Sequence, residues 1–218
     1  AVSRRSSSTA PSRCNSWNAS ATAFAAEPTL ALLVAGATLL VYQSASSQHL
    51  VTWLVQERGF AYSRAAYLGA AVVLGAGLAG SLAMGWLTDA AERRRAGGRL
   101  AALVGLGGAS LAATVAFYLL PPASPLFLPA WLVAQGWTLG WFGPMLAALH
   151  ERAPAGSRAT VIGFCLMTLN LAGVGLGPWI TGAIGDRAGL TTGLLASVGA
   201  GAVGIALVGL AARRGVRS

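Results

Sequence analysis

The side chains that could carry acid–base chemistry are few, and they stand at the ends of apolar runs. The sequence contains six acids and two histidines. The acids are Glu27, Glu57, Asp89, Glu92, Glu151 and Asp186. A carboxylate in the middle of a membrane helix would cost roughly 2.5 to 3.5 kcal/mol and would indicate a proton relay. Since no acid is placed in this way, we expect no proton carrier in this chain.

A serine inside an apolar run raises an enzymatic alternative. Ser110 follows Gly108-Ala109 in the third run, which allows a six-helix intramembrane serine protease. Its hydroxyl would need a nearby base, and His49 and His150 both stand near the ends of their segments. No group of His, Cys and carboxylate residues has metal-ligand spacing. We therefore expect no catalytic residue, no metal and no cofactor.

Polar and aromatic side chains inside the apolar runs are the candidates for a substrate cavity. They are Gln43, Ser47, His49, Trp137, Trp141 and Asn170. A polar side chain in lipid favours a watery path or a partner on a neighbouring helix. The two tryptophans are four residues apart and share a helix face. Contact with a solute and packing between helices are both open for all six.

The composition indicates that these residues are positioned by membrane helices. The chain is 55% hydrophobic and 10% charged, whereas globular domains carry about a quarter charged residues. A helix crosses a bilayer with about 20 apolar residues, and six runs approach or exceed that length. They cover approximately 29–55, 65–88, 100–120, 125–149, 159–185 and 190–212. Residues 1–24 are expected to form a linker or tail, 25–212 the helical unit and 213–218 a basic tail. The predicted fold is all-α and polytopic.

The basic residues suggest an orientation. All 15 are arginines and lie between apolar runs, so we expect no nucleic-acid partner. Cytoplasmic loops collect Lys and Arg. With both termini in the cytoplasm, only Arg58, Arg64 and Arg187 fall outside, which leaves 15 − 3 = 12 arginines inside. We expect an integral protein of the plasma (inner) membrane.

Two segments end in similar sequences. GSLAMGWLTD closes the second and GPWITGAIGD closes the fifth, so that two glycines and an aspartate align. The aligned residues are Gly80, Gly85 and Asp89 in the first copy and Gly177, Gly182 and Asp186 in the second. One copy ends inside and the other outside, which predicts two inverted three-helix repeats.

The first of these endings resembles a known loop motif. Gly85-Trp86-Leu87-Thr88-Asp89 followed by three arginines is similar to the motif after the second helix of each half in the major facilitator superfamily. The resemblance implies that Gly85 allows close helix packing and that Asp89, Arg93 and Arg94 form a cytoplasmic charge latch. Ala90 and Glu92 depart from the motif, which implies a weak latch.

A second match is narrower. Gly143-Pro144, the run Glu151-Arg152-Ala153-Pro154 and the segment 170–178 (NLAGVGLGP) look like the fourth and fifth helices of the C-terminal half in spinster-like facilitators. In the second repeat, the conformational motif comprises Gly177, Pro178, Gly182, Asp186 and Arg187.

The resemblance implies a twelve-helix transporter of which this chain is the C-terminal six-helix half. Its partners would be a missing N-terminal half, membrane lipid and a small-molecule substrate. We expect a secondary carrier that moves a small organic or lipid-like solute by alternating access. A membrane scaffold that transports nothing is the other alternative to the protease.

Overall fold

The computed structural model describes residues 27–154 and 156–214. The predicted linker 1–24 and the last four residues of the basic tail lie outside this part of the chain. Within it, the secondary structure is helical and no strand occurs. The all-α prediction is therefore confirmed.

Among residues 27–154 and 156–214, nine α-helices and two short distorted segments follow one another. In chain order they are α1 Pro28–Ser46, a 3-10 turn Ser47–His49, α2 Leu50–Gln56, α3 Tyr62–Arg94, α4 Gly98–Leu119, α5 Phe127–Gly140, α6 Phe142–Arg152, α7 Arg158–Thr168, a π-helical segment Leu169–Gly175, α8 Leu176–Ala188 and α9 Leu190–Arg214. Pro28 opens α1 at the position where a missing N–H costs nothing. Gly97 and Gly189, both at positive φ, precede α4 and α9.

Five stretches among the described residues are long and apolar enough to cross a membrane. They are Pro28–Gln56, Tyr62–Arg94, Gly98–Leu119, Arg158–Ala188 and Leu190–Arg214. Each can satisfy its own backbone hydrogen bonds in lipid. The protein is an integral membrane protein.

The fourth predicted segment is divided into α5 and α6, of 14 and 11 residues. Pro144 has no N–H to offer the carbonyl of Gly140, and its ring crowds that carbonyl, so the helix breaks at Trp141. The pair still runs the length of the bundle. Phe127 at the start of α5 packs against Phe117 near the end of α4, while Glu151 at the end of α6 pairs with Arg99 at the start of α4.

Glycines set the closest helix contacts. α1 packs most extensively against α9, where a Cβ on Gly36 would lie 2.9 Å from the carbonyl oxygen of Gly204. A Cβ on Gly80 of α3 would run into the backbone of Gly136 in α5. Small residues allow this approach because helices in lipid associate through van der Waals packing.

Two buried clusters occupy opposite parts of the bundle. One is mainly aliphatic and includes Leu40, Leu103 and Trp137. The other is rich in aromatic rings and includes Trp53 and Phe117. We call the end of the bundle beyond the aromatic cluster the Glu57 end, formed by Glu57, Arg58, Tyr118, Leu190 and Thr191. The opposite end is the Arg99 end, formed by Asp89, Glu92, Gly97, Arg99 and Glu151.

Candidate functional site

The six candidates for a substrate cavity do not share one pocket. Gln43 and Ser47 line a cavity of about 20 Å³ between α1, α4 and α5, together with Thr114, Trp131 and Gln135. That volume suits about one water molecule, whereas small-molecule sites occupy roughly 300 to 1,000 Å³. Gln43 and Ser47 thus lie in the interior of the bundle, at a site too small for an organic solute.

His49 lies at a contact between helices. Its Nε2 is 2.9 Å from the carbonyl oxygen of Pro178 in α8. Since a carbonyl only accepts, Nε2 donates and carries the proton. The ring also lies beside Gly182, where a Cβ would be 3.4 Å from His49 Cε1. The structure thus brings together His49, Pro178 and Gly182, which the sequence had placed in two separate groups.

Further contacts join α1 to the π-helical segment and α8. Ser46 Oγ and Thr181 Oγ1 are 2.8 Å apart in the buried interface. A Cβ on Gly173 would lie 2.6 Å from Val41, and one on Gly177 would lie 2.6 Å from the Tyr42 ring. The first membrane stretch and the Gly-rich part of the fifth therefore meet at close range.

Asn170 lies in the π-helical segment that leads into this contact. Its Nδ2 donates to the carbonyl oxygen of Leu166 at 2.8 Å, and the side chain is exposed. Pro178 withdraws a donor from the carbonyl of Val174 four residues before it. Short π-helical turns are frequent at functional sites. Of the six candidates, Asn170 is the one on the exposed surface of a distorted helix.

Both tryptophan candidates are packed in the interior. Trp137 and Trp141 are 5% and 1% exposed and belong to the aliphatic cluster. Trp141 Nε1 donates to Ser44 Oγ at 3.2 Å, which ties the break between α5 and α6 to α1. Their placement favours the packing alternative.

The residues of the facilitator-like loop motif lie beside an open groove. Gly85 and Asp89 of α3, with Gly143 and Pro144 of α6, line a recess of about 430 Å³. A Cβ on Gly85 would meet nothing within 4 Å. The expected close packing at Gly85 is therefore not made within the described bundle.

Asp89 pairs with an arginine outside the loop motif. Arg99 Nη2 lies 3.1 Å from Asp89 Oδ1, and Arg99 Nη1 pairs with Glu151. Arg93 and Arg94 are exposed at the end of α3. Arg99 reaches Asp89 because Gly97, at φ 76°, reverses the chain and brings the start of α4 back to α3.

Glu92 completes the Arg99 end by capping α4. Its carboxylate accepts the N–H of Gly97 at 3.0 Å and that of Arg99 at 2.8 Å. The first N–H groups of a helix have no partner within the helix, and a carboxylate also complements the positive end of the helix dipole.

Glu57 performs the same task for α9 at the opposite end. Its carboxylate accepts the N–H groups of Leu190 and Thr191 and the hydroxyl of Thr191. Burial raises the pKa of Glu57, but the hydrogen bonds from Thr191 and Leu190 and the charge of Arg58 outweigh it and lower the pKa below its usual value.

Aromatic rings support the Glu57 end. Trp53 Nε1 donates to Thr191 Oγ1 at 2.7 Å, and the guanidinium of Arg58 lies 4.7 Å from the Trp53 ring centroid. Arg58 also donates to the carbonyl oxygen of Tyr118. One network thus connects the ends of α2 and α4 with the start of α9.

The second-repeat aspartate and the buried serine have fewer contacts. Asp186 and Arg187 are both exposed at the end of α8, and the ion pairs within the described residues include neither.

Ser110 Oγ is buried without a hydrogen-bond partner in the described part of the chain. No base within the described residues therefore contacts this hydroxyl, and the protease alternative gains no support.

The fold is that of solved transporters. The chain superposes on two crystal structures of a bacterial homologue of the human lysosomal transporter Spinster, both inward-facing. The unoccupied form matches with a TM-score of 0.73 and 20% identity, over 98% of this chain and 54% of that one. The occupied form matches with a TM-score of 0.71 and 19% identity, over 87% and 50%. No known family profile matches the sequence, and no curated protein does.

These similarities place the chain in a structural class. It has the fold of a facilitator-type membrane transporter, and the resemblance to spinster-like facilitators is confirmed at the level of the fold. The chain spans about half the length of the transporters that it matches.

Proposed function

We propose that this chain forms one six-helix half of a facilitator-type secondary carrier, which moves a small organic or lipid-like solute by alternating access. The observation that carries the proposal is the match of nearly the whole chain to half of a spinster-type transporter. The solute would pass between this bundle and a second six-helix bundle, the N-terminal half.

The open groove on α3 supports a second bundle. Gly85 offers space that no described residue fills, while α3 also exposes large apolar side chains. These include Leu78, Leu82 and Trp86, which are 66%, 78% and 67% exposed. Lipid can cover them, but a glycine beside an aspartate at the membrane edge also suits the approach of another helix.

The proposed topology has six spans in two inverted repeats, with both termini cytoplasmic in the plasma membrane. α5 and α6 would together make the fourth span, broken at Trp141. The two glutamate caps agree with the repeat, because α4 and α9 are the third helices of their units. Each begins at the opposite end of the bundle, and each is capped by a glutamate.

Within this carrier, the proposed movable contact is His49 on Pro178. A π-helical segment precedes Pro178, so α8 can bend there at lower cost than a regular helix. Asn170, exposed on that segment, is the residue that we assign to the solute path. Gln43 and Ser47 would support the path from inside the bundle.

Uptake into liposomes tests the proposal. The chain alone should not transport labelled lysophospholipid or organic anions, because half of the cavity wall is absent. Co-expressed with an N-terminal facilitator half, it should do so. Gly85→Leu should leave the isolated bundle as stable as the original but prevent uptake, because the new side chain fills the docking groove.

Gly75→Leu is the matched control, since Gly75 lies on the same helix and a Cβ there also meets nothing. Uptake by the chain alone would overturn the half-transporter proposal. Unimpaired uptake by Gly85→Leu would show that the groove is not part of the interface with the N-terminal half.

A further inference from the structure

A larger recess than the groove at Gly85 lies on the flank of the bundle, between α4 and α9. Its volume is about 820 Å³, well within the range of ligand sites. Ala101 and Val104 of α4 form one wall and Ala202, Ala206 and Gly209 of α9 the other. It shares no lining residue with the cavity at Gln43 or with the groove at Gly85.

The groove follows one face of α9. Ala202, Ala206, Gly209 and Arg213 succeed one another at spacings of three or four residues, so they lie on one face of the helix. Gly204, on another face, is packed against α1. From Ala202 to Arg213 the helix rises about 16 Å, roughly half of the 30 Å hydrocarbon core of a bilayer. The groove therefore has the depth of one lipid leaflet.

Positive charge stands only at one end of this groove. Arg95, which follows α3, and Arg213, in the last turn of α9, are the charged residues of its lining. The ion pairs among the described residues use neither. Glu92, the carboxylate of the same loop, already accepts the N–H groups of Gly97 and Arg99. The two guanidinium groups are thus free to bind an anion.

We propose that this groove binds an anionic phospholipid of the surrounding bilayer. One acyl chain lies along Ala202, Ala206 and Gly209, and the phosphate binds Arg95 and Arg213. Basic pockets between membrane helices at the cytoplasmic side suit such headgroups. The combination of an apolar floor of leaflet depth with two arginines at its mouth matches both parts of the lipid. A soluble phosphate would use only the arginines.

The site is distinct from the proposed solute path, and its test requires no transport. The purified 218-residue chain is mixed with phosphatidylglycerol and phosphatidylcholine of identical acyl chains, and native mass spectrometry measures the lipids retained. We expect a preference for phosphatidylglycerol. Each arginine near the surface contributes about fivefold, so Arg95→Gln with Arg213→Gln should reduce that preference about 30-fold.

The matched control for charge is Arg94→Gln with Arg214→Gln. These arginines are the immediate neighbours of the first pair but do not line the groove. The control removes the same charge from the same end of the bundle, and it should change the preference less than about threefold. An equal loss in both double variants would mean diffuse attraction to the surface and would overturn the site.

The apolar part is tested by Ala206→Phe, which fills the groove and leaves the charges unchanged. Retention of phosphatidylglycerol should fall, while Ala196→Phe, an exposed position of α9 outside the groove, should retain it. Unchanged retention by Ala206→Phe would overturn the proposed position of the acyl chain.

Displacement of the lipid by inorganic phosphate alone would indicate a simple anion site and would overturn the lipid proposal. A dimer that Ala206→Phe abolishes would assign the groove to a second copy, and equal retention of both lipids by the original chain would refute the proposal.

Discussion

A glutamate caps a helix at each end of the bundle, but the bonds that join helices distant in the sequence differ between the two ends. At the Glu57 end, one carboxylate binds backbone N–H groups and a hydroxyl, and Arg58 and Trp53 add a stacked contact. At the Arg99 end, one guanidinium joins carboxylates on two other helices, Asp89 and Glu151. Both carboxylates are about half exposed, at 55% and 51%.

The difference matters for a protein proposed to open alternately at its two ends. Hydrogen bonds to backbone groups require the start of α9 to keep one position, so they favour a fixed end. Exposed ion pairs are worth about 0 to 1 kcal/mol each and tolerate rearrangement. Alternating access balances states a few kcal/mol apart. The Arg99 end is therefore the one that we expect to yield more easily within this bundle.

The largest effect should come from removing the cap at the Glu57 end. Glu57→Ala leaves the first N–H groups of α9 and the Thr191 hydroxyl without their acceptor. Loss of a helix cap costs about 0.5 to 2 kcal/mol, and we expect the upper part of that range because three donors are involved. Unfolding in detergent, followed by circular dichroism, measures it. Glu57→Gln, which keeps an acceptor oxygen and the side-chain volume, should lose less; equal losses would mean that the negative charge, and not the acceptor oxygen, provides the stabilisation.

A smaller loss is expected at the Arg99 end. Arg99→Gln removes two exposed ion pairs and should cost about 1 kcal/mol at low salt. High salt screens such pairs, so at 1 M salt the variant and the original chain should differ little. Arg94→Gln serves as the control for a lost positive charge. A loss that does not depend on salt would show that the two ends are held by the same kind of bond.

Acidification should weaken the Glu57 end. The lowered pKa of Glu57 means that its stabilising contribution is complete above the ordinary glutamate pKa of 4.5 and is lost as the pH falls through the lowered value. The stability difference between the original chain and Glu57→Gln should therefore shrink below pH 4.5. Unfolding at pH 7, 4 and 3 measures it. A difference that grows on acidification would contradict the sign.

The smallest effects concern the two aligned aspartates. Asp89→Asn breaks one ion pair and should cost less than about 1 kcal/mol. Asp186→Asn, at an exposed position outside the described ion pairs, should stay within about 0.5 kcal/mol of the original chain. Unfolding of both variants side by side measures this. A larger loss for Asp186→Asn would show that the second copy of the repeat is fastened more strongly than the first.

The extents of the membrane helices followed closely from the sequence. The run 29–55 became the stretch Pro28–Gln56, and the run 190–212 became Leu190–Arg214. Apolar length and the positions of proline and glycine determine these limits. The sequence placed the end of the second run at Thr88, but α3 continues to Arg94, because arginine is a good helix former and favours the C-terminal end of a helix.

Distortions inside the helices were harder to foresee. Gly143-Pro144 was noticed as part of a resemblance, yet its effect on the carbonyl of Gly140 depends on α5 already being a helix. The direction of a side chain is similarly hidden. Trp53, Trp86 and Trp131 stand near the ends of apolar runs, where the amphipathic indole ring suits the membrane interface. Trp86 is exposed, but Trp53 and Trp131 are 0% and 2% exposed and lie inside the bundle.

The candidate site was predicted only in part. Polar residues in apolar runs were recognisable, but a linear pattern cannot separate a solute path from an interhelical contact. His49 made that contact with Pro178 across 129 positions of sequence. The glutamate caps were not predicted, because the sequence shows Glu57 only as an acid at the end of an apolar run. Its position just before Arg58 and Gly59 gave no indication that α9 begins beside it.

Accessibility on either side of the α5–α6 pair most directly tests the proposed six-span half-transporter. Single cysteines at Ala123 and Gly156 flank this broken helix, and a third at Gly97 marks the Arg99 end; Cys14 and Cys165 are first replaced by alanine. In intact bacterial cells, a membrane-impermeant maleimide should label the cysteine at Ala123 directly. It should label those at Gly156 and Gly97 only after the membrane is opened. Labelling of Ala123 and Gly156 from the same side would contradict the six-span fold, and with it the proposed half-transporter.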